Sequence, residues 1–323
     1  QTHPMWTAHM KYLLFVSDRA GYIALHALDM ETGRIHVVTD SGVRGYVLAR
    51  GDNWLYYVHG QDVLKVCITD SLCAKELVAT IPDDLRDCLG LSLDANKEAL
   101  YVGGVIEKDK KWGLWKLDLL TGRWQILTEL NFRIGHVQAS PYRSGAVMFC
   151  HETGGDAPQR MWVIQNDEKE PKPLYKETYG EWVTHEVWWG KDRVIFTIWP
   201  YDEEHTQKPH GIVSADVATG QPTVHSQYRA WHTHGSPDGQ WILGDDFDRN
   251  IWLVRAETGE RRLLTQGHLG EGCETHPHAS FTDDSKGIVF NSSRNGNDDI
   301  FLVEIPDDWE SLPLAKDVET NGS

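Results

Sequence analysis

The sequence predicts an all-β fold: a seven-bladed β-propeller with four-stranded antiparallel blades, in one domain over residues 1–323. Three observations predict it: a repeated turn-and-strand grammar, a regular spacing of units, and the absence of convincing amphipathic helices. The turns are the clearest element. Asp29-Met-Glu-Thr32-Gly33, Asp118-Leu-Leu-Thr121-Gly122, Asp216-Val-Ala-Thr219-Gly220 and Ala256-Glu-Thr258-Gly259 each precede an apolar run, such as Ile35-His-Val-Val38 or Arg262-Leu-Leu-Thr265. Thr-Gly suits a tight hairpin because Gly supplies positive φ, and Asp caps its own turn. A second turn opens the unit, best seen in Ser236-Pro-Asp-Gly239 and Thr282-Asp-Asp-Ser285. Buried strands follow it, among them Tyr12-Leu-Leu-Phe-Val16, Ala99-Leu-Tyr-Val102, Val194-Ile-Phe-Thr197, Trp241-Ile-Leu243 and Ile288-Val-Phe290.

An anchor placed four residues before each first turn falls on His3, Gly45, Cys88, His136, His185, His232 and His278, with separations of 42, 43, 48, 49, 47 and 46 residues. Radial repetition of such units is how a propeller removes exposed sheet edges. Blades 2 and 5 are degenerate, and Leu312-Pro-Leu-Ala315 is the candidate closing strand of blade 7.

The chain has 31 Lys and Arg against 48 Asp and Glu, a net charge of −17, and that sign excludes a cationic footprint for nucleic acid. No apolar run approaches the roughly 20 residues of a membrane-spanning helix. An anionic substrate would need a local cation, from arginine or a metal. Five cysteines (Cys67, Cys73, Cys88, Cys150, Cys273) are too few and too irregular for a disulfide framework, with a Cys67–Cys73 bridge left open. The chain opens at Gln1 without a signal-like segment, so a reducing, cytoplasmic location is expected.

Five of the seven anchors are His, in a chain with 16 His in 323 residues, where chance gives fewer than one. Each anchor is expected to open the innermost strand of its blade and face the centre. Convergent imidazoles suit a metal or a proton-transfer site; the alternative is a set of polar core residues satisfied by backbone. The densest cluster is Cys273-Glu-Thr-His276-Pro-His278. On an extended strand a His-x-His pair points both rings to one side, so Cys273 or Glu274 with His232 completes three or four ligands. Imidazole with thiolate suits zinc, and imidazole with oxygen also suits manganese. Arg160, in Pro158-Gln-Arg160-Met-Trp, reads as a surface residue or a ligand clamp, and His185 as a buried structural imidazole or a base.

At these residues the sequence resembles the oligogalacturonate lyases, seven-bladed propellers that cleave short pectin fragments by β-elimination. The resemblance rests on Gly135-His-Val-Gln-Ala-Ser140, Phe149-Cys-His-Glu152, Gln159-Arg-Met-Trp162, Thr184-His-Glu186 and Thr275-His-Pro-His278-Ala-Ser-Phe, and spans roughly residues 130–305. It implies that His185 removes the proton and that Arg160 meets the substrate carboxylate. By their place in the matching motifs, His136 and His151 are expected to contact substrate with Arg160. The resemblance further implies a manganese ion held by three His, here His232, His276 and His278. The family's fourth ligand is Gln, and this chain has Cys273 there, which brings zinc into play.

The chemistry agrees with that assignment. Elimination removes an unacidic C–H proton α to a carboxylate, so charge must be neutralised on the carboxylate while a neutral imidazole takes the proton. Cys273 also admits a lyase for another uronate glycan, such as ulvan or a rhamnose–glucuronate linkage. A non-catalytic binding propeller with a central structural metal is the reading from a different class.

Overall fold

The structure is a computed structural model that describes residues 5–69, 74–153, 157–166, 168, 170–200, 210–269 and 275–317. Seven antiparallel sheets follow one another along the chain, each with its strands in sequence order, which makes the fold an all-β, seven-bladed propeller. Blade 1 comprises Met5–Trp6, Tyr12–Ser17, Ala24–Asp29 and Ile35–Val37; blade 2 Val43–Leu48, Trp54–His59, Asp62–Cys67 and Glu76–Thr80. Blade 3 comprises Leu85–Leu93, Ala99–Ile106, Lys111–Asp118 and Trp124–Leu130; blade 4 Ile134–Ala139, Ala146–His151, Met161–Gln165 and Lys172–Pro173. Blade 5 holds Glu181–Trp189, Arg193–Pro200, Gly211–Asp216 and Pro222–Ser226; blade 6 Ala230–Gly235, Trp241–Asp246, Ile251–Arg255 and Arg261–Thr265. Blade 7 has three strands among the described residues: Ser280–Phe281, Gly287–Ser292 and Asp299–Glu304. Helical turns among the described residues are three short 3₁₀ segments.

The Asp-x-x-Thr-Gly turns join the third strand of a blade to its fourth. In each, the Asp carboxylate accepts the backbone N–H of the Thr three residues on, at 2.9 Å for Asp29 and 2.8 Å for Asp118 and Asp216. The Gly that follows has φ between 69° and 70° and donates its N–H back to the Asp carbonyl. The fourth such turn has Arg255 in the Asp position, and its guanidinium lies over the Trp241 ring at 4.4 Å instead.

The described residues fall into two compact units: 5–153 with 161–173, and 157–160 with 174–317. In the first, apolar layers fill the space between successive blades, with Leu25, Leu55 and Tyr57 in one layer and Leu100, Ile106 and Leu117 in the next. In the second, Leu243, Leu253, Phe281 and Ile288 form the layer between blades 6 and 7. Blades 5 and 6 meet so closely that a Cβ on Gly235 would fall 2.3 Å from the Trp189 indole.

Two expectations need correction. Leu312-Pro-Leu-Ala315 does not close blade 7. Leu314 bridges Arg262 and the Leu263 N–H donates to the Pro313 carbonyl at 2.9 Å, so the segment lies antiparallel beside the outer strand of blade 6. The anchors of blades 2 to 6 lie inside the innermost strand rather than at its start, beside a break in register. Cys67, Cys88 and Cys150 are free thiols, and Cys73 lies outside the described residues.

Candidate active site

A bulge lets one residue leave the ladder and re-aims its side chain. Here it recurs at the anchor. The register of blade 4 slips between Gly135 and Gln138, that of blade 5 between Thr184 and Val187, and that of blade 6 between Ala230 and Thr233. His136, His185 and His278 hold left-handed backbone, with φ of 46°, 56° and 45°. For a non-glycine residue that conformation costs of order 1–3 kcal/mol, and such strain collects where a side chain has a job to do.

In the unit that contains blades 5 to 7 the imidazoles converge. His185 and His232 have ring centroids 4.2 Å apart, and His232 and His278 are 3.7 Å apart. His276 lies 5.9 Å from His232 and 6.4 Å from His278, and packs on the Trp231 ring at 3.8 Å. Two imidazoles on one ion, each nitrogen about 2.1 Å from the metal, have centroids no more than about 6.5 Å apart. The His232–His278 pair is well inside that limit, whereas His276 and His278 stand at it, and the donor atoms of the three rings do not all lie within 4.8 Å of one another. The segment around His276 is not a strand, so the expected alternation does not hold there, and its ring stands 6.4 Å from that of His278.

Asp245, from the second strand of blade 6, sits behind this cluster, 2% exposed. It accepts the backbone N–H of His232 at 2.7 Å and of His278 at 3.2 Å, and both of its oxygens lie 2.9 Å from His232 Nδ1. A carboxylate on Nδ1 fixes the tautomer and directs the Nε2 lone pair the other way, the usual support of a ligating histidine. Burial pushes His232 down to about 3, with His276 adding to the effect, and His278 down to about 4. Burial also raises Asp245, to about 7. Neutral imidazoles are the form that binds a metal. By their chemistry three neutral imidazoles are a donor set for a divalent ion, which would draw the His276 ring closer to the other two.

Arg160 is not a surface residue. Its side chain is 3% exposed, and Nε donates to Glu186, itself fully buried, at 3.1 Å. Its backbone N–H donates to Glu177 at 2.7 Å, a carboxylate that Gln159 also contacts. Glu186 follows His185 directly, so one strand carries both the proposed base and the carboxylate that orients Arg160.

In the other unit, His151 ends the second strand of blade 4 and stacks on Phe132 at 4.3 Å. His136 Nε2 lies 3.5 Å from Glu152, and Cys150 donates to the same carboxylate oxygen at 3.5 Å. These three form the one group among the described residues whose His, Cys or carboxylate donor atoms all lie within 4.8 Å. His234 is a structural histidine: it accepts the Phe281 backbone N–H at 3.3 Å. Cys273, Glu274 and His3 lie outside the described residues. Asp245, Glu186, Trp231 and Glu152 went unrecognised in the sequence, although Glu186 and Glu152 stand inside the motifs that carried the resemblance.

Fold and site define a seven-bladed propeller with a cluster of histidines in blades 5 to 7, a class that hosts several chemistries. A family profile described as oligogalacturonate lyase matches residues 108–261. The oligogalacturonide lyase of Pectobacterium atrosepticum is 25% identical over 81% of this chain and 77% of its own length. The oligogalacturonate lyase of Dickeya dadantii is 25% identical over 92% and 87%. An oligogalacturonate lyase solved in complex with manganese superposes with a TM-score of 0.83 at 23% identity, over 95% of this chain and 90% of that one. The chain is thus similar in sequence to oligogalacturonate lyases over most of its length.

Proposed function

We propose that this protein is a metal-dependent lyase that cleaves the 4-linked uronate of short oligogalacturonides by β-elimination. The observation that carries the proposal is His185 beside His232, 4.2 Å ring to ring, in a cluster with His276 and His278. The relatives named oligogalacturonate lyase support the same reading. His185 takes the proton α to the uronate carboxylate, the bond to the 4-oxygen breaks as the double bond forms, and the departing oxygen takes a proton from solvent. Its left-handed backbone aims the imidazole out of the ladder. Arg160, held through Nε by Glu186, faces the charge that builds on the carboxylate; a guanidinium offers a planar fork for that shape. His136 and His151 contact the sugar from blade 4. A divalent ion on His232, His276 and His278 would neutralise the carboxylate and so lower the cost of the developing charge. Cys273 is the proposed fourth ligand, with manganese or zinc as the ion.

Saturated oligogalacturonides and a panel of other uronate oligomers, incubated with the protein and Mn²⁺ or Zn²⁺, test this. New ultraviolet absorbance from a conjugated double bond is expected with oligogalacturonides. Silence across the panel would overturn the lyase reading, and a response confined to another uronate would reassign the substrate. His185→Ala should keep the melting temperature and lose about 10²–10⁴-fold in kcat, because a general base acts only on the way to the transition state. A destabilised variant with normal turnover per folded molecule would make His185 a packing residue.

A further inference from the structure

The sequence Phe149-Cys-His-Glu152 sets Cys150 and Glu152 on one side of the blade 4 chain, with His151 on the other. Cys150 pairs with Gly135 across the ladder, and the register slip that follows Gly135 delivers His136 to the same place. The Glu152 backbone is tied to the Arg133 carbonyl at 2.8 Å, and its carboxylate lies directly over Gly135. A Cβ at that glycine would fall 2.0 Å from Glu152 Oε2, so only glycine leaves room for the carboxylate. One nitrogen, one sulfur and one oxygen donor are thereby drawn to a point by a bulge, a glycine and a left-handed histidine.

Their spacing matches a coordination sphere. With ligands about 2.0–2.3 Å from zinc, the edges of a tetrahedron are about 3.3–3.8 Å. Two of the three edges here are 3.5 Å, and the third is within 4.8 Å. The thiol is fully buried, while the His136 and Glu152 side chains are 21% and 25% exposed, so the group is closed beneath and open above. We propose that His136, Cys150 and Glu152 bind a thiophilic divalent cation of the zinc class, with the fourth position left for solvent or a ligand oxygen. Thiolate with imidazole selects zinc or cobalt over manganese or magnesium. On binding, the proton that Cys150 shares with Glu152 leaves to solvent and sulfur becomes an anionic ligand, so one proton is released per ion bound. This site stands whether or not the lyase reading does, because its evidence is the donor geometry alone.

Cobalt titrated into the full chain tests it, since a thiolate bound to Co²⁺ absorbs in the near ultraviolet by charge transfer. Because Cys273 is itself a proposed thiolate ligand, the titration is made in Cys273→Ala: the band should appear there, be bleached by Zn²⁺ and vanish when Cys150→Ala is added. Absence of the band in Cys273→Ala would overturn the proposal, as would its survival in the folded Cys273→Ala, Cys150→Ala double variant. Should Cys150→Ala not fold, the part-exposed Glu152→Gln and His136→Ala decide: each is expected to weaken Co²⁺ binding by about tenfold or more. Unchanged affinity in both would equally overturn it.

Discussion

Arg160 and Glu186 make a buried ion pair, and removing one member of such a pair leaves the other charged in a dry site. Arg160→Ala should therefore cost about 3–5 kcal/mol in denaturant unfolding, apart from any loss of substrate binding. Replacing both, as Arg160→Met with Glu186→Leu, should cost less than the single change, because no charge is left uncompensated. Equal losses for the single and the double variant would mean that packing, not charge, dominates at this position. Turnover of Arg160→Ala has to be expressed per folded molecule, or the clamp and the strut will be confused. The histidines were legible in the sequence because the repeat register singles out one position per blade. Their carboxylate partners were not. Asp245 and Asp246 are neighbours of the same type, and only the fold shows that Asp245 faces His232 whereas Asp246 caps its own turn by accepting the Asn250 N–H at 2.9 Å. Pairing of that kind depends on which strand lies alongside, and no local pattern records it.

The hairpin turns are the elements that sequence describes best, because each is held by residues within five positions of one another. Hydrogen bonds from the Thr of each turn hold the Asp29, Asp118 and Asp216 carboxyls below the usual carboxylate range. A depressed folded-state pKa adds stability that is present above the unfolded value, about 3.9, and is lost as pH falls through the folded value. Acidification from about pH 5 to about pH 3 should thus lower the melting temperature of the wild-type protein more than that of the triple variant Asp29→Ala, Asp118→Ala, Asp216→Ala. At pH 7 the triple variant should be the less stable of the two. Parallel melting curves against pH would show that solvent has already cancelled these exposed contacts. The inner-strand bulges were not legible, since nothing local distinguishes a bulged His from one in a regular ladder. The last segment was misassigned for a related reason. Leu312-Pro-Leu-Ala315 reads as a short strand, but the partner of a strand is chosen by what lies alongside, and here that is Arg262 in blade 6.

Across the whole chain the net charge of −17 opposes an oligogalacturonide, which carries one carboxylate per sugar at neutral pH. The positive groups that would receive it, Arg160 and an ion on the His232 cluster, act over a few ångströms. Two fields of opposite sign thus act at different ranges, and salt separates them. The Debye length is about 30 Å at 0.01 M and about 8 Å at 0.15 M ionic strength, so added salt screens the distant repulsion and hardly touches contacts with buried groups such as Arg160 and His232. The work of bringing the anion to the site enters kcat/KM whichever step limits turnover, because that constant compares the transition state with free enzyme and free substrate. For oligogalacturonides kcat/KM should therefore rise severalfold between about 0.01 and 0.15 M of a monovalent, non-chelating salt, while kcat stays nearly constant. The rise should be steeper for a trimer than for a dimer, since each added carboxylate meets the same repulsion. A fall in kcat/KM with salt would show instead that the local cations reach beyond the cleft and govern encounter, leaving the acidic surface without kinetic effect.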